Sequence, residues 1–277
     1  MISLRRSSAI MGKAAAFFLA AVLVLVMGAD WFSPADPYRQ ELSSMVLPPL
    51  SVSENGAFHL LGTDQLGRDV LARLLFGGRL SLLMSLAAVL VSALVGTALG
   101  LVAGYFRGAA DAVIMRLADV QLSIPMMLLA ILVIALSGAG LMNTILVLAL
   151  AGWVPFARVV RSEVLAIRER EFVECARAMG VGAFTIIATH VLPNLFYTLV
   201  TQATLQMARM ILLAASLSFL GLGVDVSLPT WGGMISDGRN YIEDAWWLTV
   251  IPGLAIALVI FAINLLSDWL QAVADRR

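Results

Sequence analysis

The hydrophobic residues of this chain fall into long uncharged runs rather than into short alternating segments. A helix needs about 20 apolar residues to cross a bilayer, and continuous apolar runs favour helices over a β-barrel. Asp, Glu, Lys and Arg are absent from residues 14–29, 80–106, 120–157, 178–208, 210–224 and 245–267. The pattern therefore predicts an all-α, polytopic integral membrane protein.

The uncharged run at 120–157 is too long for one helix that crosses the membrane. Ser137-Gly138-Ala139-Gly140 interrupts it with residues typical of a tight turn. The run therefore predicts two spans, which brings the total to six transmembrane helices. Their approximate positions are 12–29, 80–104, 111–137, 141–157, 196–220 and 245–268.

The polar connections between the spans differ in length. Residues 1–11 form a short N-terminal segment, and residues 30–79 form a long one, expected to be extended and then helical near 66–77. Residues 158–194 are rich in Arg and Glu, with helical composition from Arg158 to Met179 and a break at Gly180. No internal repeat separates these parts, so the chain is treated as one domain.

The basic residues predict the orientation of the spans. With six spans both termini lie on one side, and a cytoplasmic location for them places eleven cations inside and five outside. This bias agrees with the positive-inside rule. The inside set is Arg5, Arg6, Lys13, Arg107, Arg158, Arg161, Arg168, Arg170, Arg177, Arg276 and Arg277, and the outside set is Arg39, Arg68, Arg73, Arg79 and Arg239. Arg5-Arg6 and the apolar run behind them also resemble a signal peptide, so cleavage of the first helix stays an alternative.

Composition excludes several classes of protein. The chain is 61% hydrophobic and 13% charged, unlike a water-soluble domain. Its formal net charge of zero gives no indication of nucleic-acid binding, and the single cysteine, Cys175, excludes an intrachain disulfide. His59 and His190 are predicted on opposite sides of the membrane, so they form no common metal site or catalytic centre. Lys13 is followed by Ala14 and lacks the Gly-Lys-Ser/Thr of a P-loop, so no ATP site is expected.

Two groups of residues within the spans suggest specific contacts. Small residues recur at every fourth position of the second span, at Ala88, Ser92, Gly96, Gly100 and Gly104, and predict close helix packing. Packing within the chain is favoured there over a subunit interface. Gln202, Gln206 and Arg209 of the fifth span are spaced to share one face, which is expected to line a hydrated pathway or a polar seam between subunits.

Charged residues elsewhere near the spans have more ordinary interpretations. Arg116 and Asp119 are three positions apart on a helix and are expected to pair near the cytoplasmic headgroups. Asp268 is expected at the cytoplasmic end of the last helix.

The inner loop carries the most specific motif. It contains Glu174-Cys175-Ala176, Gly180 three residues later, and His190-Val191-Leu192-Pro193 after nine more. A helix capped by Gly180 and followed by a second short helix would form a compact projection below the membrane. These residues resemble the EAA loop of binding-protein-dependent ABC importer permeases, in which the usual form has Ala at the second position and Ile in place of His190. By analogy, Glu174 to Gly182, with Val181 among them, would form a coupling helix that contacts an ATPase.

Further motifs narrow the resemblance to one branch, the second (C-type) permease subunit of dipeptide, oligopeptide and nickel importers. The resemblance covers about residues 30–277. The motifs that carry it are His59–Asp69, Gly78–Leu82, Ser218–Gly223, Pro229–Gly232, Trp246-Trp247 and Pro252-Gly253.

The resemblance implies a type I ABC importer permease fold over residues 80–277, in the bacterial inner membrane. It also implies a homologous second permease subunit, two ATPase subunits that bind ATP and Mg, and an extracytoplasmic binding protein, with no cofactor on this chain. Peptides are the most common cargo in this branch, beside nickel chelates, glutathione, opines and sugar derivatives. The alternative is a secondary transporter or channel that works alone, which would need carboxylates in mid-span or an inverted repeat.

Overall fold

A computed structural model describes residues 2–274, which are mostly helical. Within this range the helices are α1 (Ile2–Met27), α2 (Ala29–Phe32), α3 (Val70–Phe106), α4 (Gly108–Ser123), α5 (Met126–Ser137), α6 (Leu141–Ile167), α7 (Glu171–Ala178), α8 (Ala183–Ile186), α9 (Leu192–Asn194), α10 (Phe196–Phe219), α11 (Trp231–Gly238) and α12 (Trp247–Ala274). A π turn at Ile187–Val191 joins α8 to α9, and 3-10 turns occupy Leu42–Ser44 and Arg239–Tyr241. Arg276 and Arg277, counted above as inner cations, lie outside the described residues.

Four of the described helices are long and apolar enough to cross a membrane: Ile10–Met27, Val70–Phe106, Leu141–Ile167 and Trp247–Val273. Two bent pairs also pass this test, α4 with α5 at 91° and α8–α9 with α10 at 62°. Counting each pair as one span gives six. The all-α, polytopic fold predicted from the sequence is therefore confirmed. The predicted third span is bent, and the predicted fifth span follows a bend of 62°.

The second span begins earlier than predicted. α3 has 37 residues and starts at Val70, ten positions before residue 80. Asp69 caps it, because its carboxylate accepts a hydrogen bond from the amide of Ala72 at 2.8 Å. At about 1.5 Å per residue α3 is about 55 Å long, so its first turns extend beyond the hydrocarbon core.

The third span is broken, and the prediction of one helix over 111–137 is wrong. α4 and α5 meet at Ser123-Ile124-Pro125, where Ile124 adopts an extended conformation with ψ 125°. Proline disfavours a helical conformation in the residue before it and has no N–H to donate. The tight turn predicted at 137–140 is confirmed, since Gly138 and Gly140 both have positive φ values.

The inner segment is also divided differently. Helix α6 continues to Ile167, ten residues beyond the predicted end of the fourth span at 157. The continuous helix predicted from Arg158 to Met179 is interrupted, because Arg170 is extended, with ψ 145°, before α7 begins at Glu171. The break at Gly180 is confirmed by its φ of +79°.

The small-residue face of α3 packs against α6 of the same chain. A Cβ atom at Gly100 would lie 2.7 Å from the carbonyl oxygen of Ala157, and one at Gly104 would lie 2.8 Å from the Cβ of Val164. Ser92 donates a hydrogen bond from Oγ to the carbonyl of Ala149 at 3.1 Å. Ala88 and Gly96 are buried along the same face. This face therefore gives the close backbone approach that small residues allow between membrane helices.

Residues 33–69 fold back against the first turns of α3, whereas the sequence predicted a largely extended segment. Strands β1 (Ser51–Val52) and β2 (Phe58–His59) form a short antiparallel hairpin. His59 Nδ1 lies 2.8 Å from Asp69 Oδ2, and the indole N–H of Trp247 donates to the carbonyl of Thr63 at 3.3 Å. The segment is therefore a folded cap on the side predicted to face outward.

A buried ion cluster joins this cap to α11. Arg68 Nε donates to Asp64 Oδ2 at 2.7 Å. Arg73 of α3 donates to the same oxygen and, through Nη2, to Asp237 of α11 at 3.2 Å. Asp64, Arg68 and Arg73 are all buried, and charges are rarely buried unless they are paired. The cluster therefore holds α11 against the outer end of α3.

Candidate functional site

The projection predicted on the cytoplasmic side is built on α7, whose apolar side packs into the protein. Val173 and Ala176 are buried in a cluster with Val160 and Val164 of α6 and with Leu195, which precedes α10. The opposite side of α7 is polar and exposed, with Glu171 and Glu174 in its first turn, where carboxylates interact favourably with the helix dipole. The projection is thus fixed to two spanning helices.

Gly180 reverses the chain at the end of α7. Its amide donates to the carbonyl of Arg177 at 3.0 Å, and the amide of Val181 donates to the carbonyl of Ala176 at 3.1 Å. These two bonds and the positive φ of Gly180 form a Schellman cap. The coupling helix predicted over Glu174–Gly182 therefore ends at Ala178, because the left-handed residue at 180 cannot continue an α-helix.

The tip of the projection exposes apolar side chains. Met179 is 76% exposed and Phe184 is 82% exposed. Glu174, Cys175 and Gly182 are also exposed, while Ala176 is buried and Val181 is half-buried. Apolar groups that cluster on a surface outside the bilayer indicate an interaction site.

The second half of the predicted motif lies beside α7. His190 is half-buried, and its ring stacks on that of Phe172 with centroids 6.2 Å apart. Thr189 Oγ1 lies 2.7 Å from His190 Nδ1. Leu192 and Pro193 are exposed in α9, at the bend that leads into α10. The structure therefore brings the two halves of the motif together, although Leu192 and Pro193 are not on the tip.

The polar residues predicted on one face of α10 do not share one environment. Gln206 is 1% exposed, and its Nε2 donates to the carbonyl of Gly152 in α6 at 3.2 Å. Arg209 is exposed and donates from Nη1 to Gln206 Oε1 at 3.4 Å. Gln202 is half-buried. Gln206 and Arg209 are thus close enough to bond to each other, while Gln206 also contacts the backbone of α6. That this face lines a hydrated pathway or a polar seam between subunits stays a prediction.

An apolar cleft of about 470 Å³ lies further along α10, toward the predicted outer side. It is lined by Met127 of α5, by Leu212, Ala215, Ser216, Phe219 and Leu220, by Ile235 of α11, and by Gly253 and Ile256 of α12. Leu212 and Ser216 follow Arg209 by three and seven positions, so they lie on the same side of the helix. Arg209 is therefore on the side of α10 that carries part of the cleft wall, although it does not line the cleft itself.

Comparison with known families decides the class of the protein. Residues 96–277 match the family described as the inner membrane component of binding-protein-dependent transport systems. The chain belongs to this family. The permease is 41% identical over 258 residues to the di/tripeptide transport system permease protein DppC of Pseudomonas aeruginosa, an alignment that covers 93% of this chain and 85% of that protein.

Other relatives transport related solutes according to their names. The permease is 39% identical to the glutathione transport system permease protein GsiD of Pectobacterium atrosepticum, over 92% of this chain and 84% of that protein. It is 37% identical to the dipeptide transport system permease protein DppC of Bacillus subtilis, over 96% and 81%. The resemblance to the C-type branch is therefore confirmed.

A solved structure shows the same fold. The permease matches a chain of the MetNI methionine ABC transporter in an inward-facing conformation, with a TM-score of 0.60 and 20% identity. The match covers 73% of this chain and 96% of the MetNI chain. The type I importer fold is confirmed, and the permease is a transmembrane subunit of an ABC importer.

Several polar contacts in the permease could not be found from its sequence. Asp119 accepts a hydrogen bond from Arg158 of α6, so the predicted pair of Arg116 with Asp119 is wrong. Asp111 pairs with Arg161, and Trp153 Nε1 donates to Gln121 Oε1 at 2.6 Å. These contacts join α4 to α6 across at least 32 positions, a separation at which helical spacing carries no information. Within residues 2–274, His, Cys, Asp and Glu form no group of three that could hold a metal ion.

Proposed function

We propose that this permease imports small peptides or closely related solutes that carry a carboxylate. The relatives support this cargo, since their names specify dipeptides, di- and tripeptides or glutathione. The chemistry of the permease agrees with it, because an apolar cleft and an exposed arginine suit a solute with apolar side chains and a negative end.

The tip around Met179 and Phe184 is proposed to bind a cytoplasmic ATPase subunit. These two side chains are the observation that carries this proposal, since each is more than three quarters exposed on a polar projection. Burial of Val173 and Ala176 makes the projection continuous with α6 and α10. Movement of an ATPase would therefore reach the spanning helices as rigid-body displacement.

The remaining partners follow from the same assignment. A homologous second permease subunit would complete the pore, two ATPase subunits would bind ATP and Mg, and an extracytoplasmic binding protein would deliver cargo to the outer cap. The permease itself would carry no cofactor and no catalytic residue. The arginine distribution supports cytoplasmic termini for this multi-pass protein.

Charge substitution at the tip tests the coupling surface. Met179→Asp should lower co-purification of the ATPase subunits and ATP-dependent uptake by about tenfold or more, as expected for a buried apolar contact at an interface. Val226→Asp is the matched control, because Val226 is 74% exposed on the outer loop before α11. ATPase association that survives Met179→Asp would contradict the coupling surface. Proton- or sodium-driven uptake by the permease alone would instead support the stand-alone transporter.

A further inference from the structure

Arg209 is an arginine in mid-membrane with no acidic partner in the described chain. It lies 13 residues after Phe196 and 10 before Phe219, about 15–20 Å from either end of α10. None of the ion pairs formed within residues 2–274 includes it. Arg158 and Arg161 of α6, by contrast, are paired with Asp119 and Asp111.

An exposed guanidinium at this depth cannot face lipid without a large cost. Its contact within the chain is the 3.4 Å hydrogen bond to Gln206, which is long for a charge-assisted bond. Gln206 is itself anchored to the carbonyl of Gly152. Gln206 therefore positions the Arg209 side chain, and the other N–H groups of the guanidinium have no hydrogen-bond acceptor in the described chain. The assembled transporter must supply water or an anion to these groups.

The cleft that follows Arg209 along α10 offers a mainly apolar surface with one polar group. Leu212 and Phe219 give it apolar walls, and Ser216 adds a hydroxyl. Gly253 of α12 leaves open space, since a Cβ atom there would meet nothing within 4 Å. Sites for small molecules are commonly apolar cavities with a few polar groups that set orientation. Arg209 precedes Leu212 and Ser216 by three and seven positions, so it lies on the same side of α10 as this part of the cavity wall.

We propose that Arg209 is a carboxylate-binding site in the translocation pathway, with the solute's apolar groups in the cleft beside Leu212 and Phe219. This inference rests on the proposed function. A planar guanidinium can bind both oxygens of a carboxylate at once, whereas an ammonium acts as a point charge. The charge complementarity between an unpaired cation and a free carboxylate selects the solute as the occupant, rather than lipid or an apolar helix.

A thiol at position 216 would report on the electrostatic effect of Arg209. Ser216→Cys is combined with either Arg209 or Arg209→Gln in the complete transporter in proteoliposomes. Anionic and cationic methanethiosulfonate reagents are then applied, and labelling is read by peptide mass spectrometry, which separates position 216 from Cys175, the one native cysteine. The ratio of anionic to cationic labelling should fall about tenfold on Arg209→Gln if Arg209 concentrates anions in a hydrated cleft.

Val226→Cys is the matched control, because its exposed position in the outer loop should give a ratio that does not respond to Arg209→Gln. An unchanged ratio at position 216 would overturn the inference. Failure of position 216 to react in any nucleotide state would do the same, because it would show a seam sealed by the partner permease.

Two added solutes test whether the site recognises a carboxylate. Dialanine and its C-terminal amide are supplied in millimolar excess, without a binding protein, during labelling of position 216. Dialanine should slow labelling several-fold more than the amide when Arg209 is present, and the difference should vanish with Arg209→Gln. Equal protection by the two solutes, or protection by neither, would overturn the carboxylate assignment.

The test of the carboxylate site can fail while the proposed importer function holds, and the two failures give different results. ATPase association and ATP-dependent uptake of the unmodified transporter are measured in the same preparations. Intact coupled uptake with an unresponsive position 216 would reject the carboxylate site alone. If the transporter without substitutions did not associate with the ATPase subunits, the proposed function itself would be rejected.

Discussion

Asp111 accepts two hydrogen bonds from the guanidinium of Arg161, Nε donating to Oδ1 and Nη2 donating to Oδ2 at 2.6 Å. The pair joins the start of α4 to the C-terminal half of α6. α4 buries little apolar surface, since Ile114 and Ala118 are its buried residues within the described chain. Polar contacts to α6 therefore contribute much of what holds α4 in place.

Removing this pair should loosen α4. Asp111→Asn is expected to destabilise the permease by about 1.5–3 kcal/mol, the range for hydrogen bonds to charged groups, and to lower the Tm in detergent. Arg116→Gln is the matched control, because Arg116 is exposed on the same helix. The exchanged pair Asp111→Arg with Arg161→Asp should recover part of the loss, and no recovery would show that the contact is not specific.

The cap at Gly180 should depend on its left-handed conformation. Gly180→Ala is expected to cost about 1–2 kcal/mol, because a Cβ atom is unfavourable at positive φ, and Gly180→Asn should cost less. Both effects would be read as faster amide hydrogen exchange in α7.

Gly182→Ala provides the comparison for this cap. Gly182 has an ordinary φ of −64°, and a Cβ atom there would meet nothing within 4 Å. The exchange of α7 should therefore stay unchanged. Equal acceleration by Gly180→Ala and Gly182→Ala would argue against the importance of the cap.

The contact between α3 and α6 should not tolerate larger side chains. Gly100→Val would force a side chain against the Ala157 carbonyl and Val160, and overpacking of this kind typically costs about 1–3 kcal/mol. Ala98→Val adds the same branch on the exposed side of α3 and should change the Tm little. A similar Tm for the two variants would show that the helices separate without cost.

The buried ion cluster of the outer cap should be sensitive to loss of one member. Arg73→Met leaves Asp64 and Asp237 without one of their cations, and breaking a buried pair costs about 3–5 kcal/mol. Arg107→Met is the control, since Arg107 and Glu169 form an ion pair in which both side chains are about half exposed, and exposed pairs contribute about 0–1 kcal/mol. Thermal unfolding of the two variants measures the difference, and equal shifts would contradict the structural role of the cluster.

The positions of turns followed from local sequence because their causes are local. Gly138, Gly140 and Gly180 have positive φ values where the sequence predicted breaks. Pro125 and Asp69 carried similar local signals, for the bend between α4 and α5 and for the start of α3, but the spans were placed from the uncharged runs alone. Uncharged residues continue through Pro125, and Arg73 and Arg79 interrupt the hydrophobic run after Asp69. Hydropathy alone therefore places the spans less accurately than their capping residues do.

The environment of polar side chains could not be predicted in the same way. Gln206 and Arg209 are three positions apart, yet one is buried against α6 and the other is exposed. Helical spacing gives the angle between two side chains but does not say where a neighbouring helix lies. That location depends on how α3, α6 and α10 pack together.

By itself the sequence determined that this is a helical membrane protein without a P-loop, with a loop typical of importer permeases. Those properties depend on composition and on contacts between near neighbours. Only the tertiary structure decided that the small-residue face of α3 is filled by α6, that Asp111 pairs with Arg161, and that Arg209 stays unpaired within the described chain. These depend on residues many positions apart, whose approach is set by the packing of whole helices.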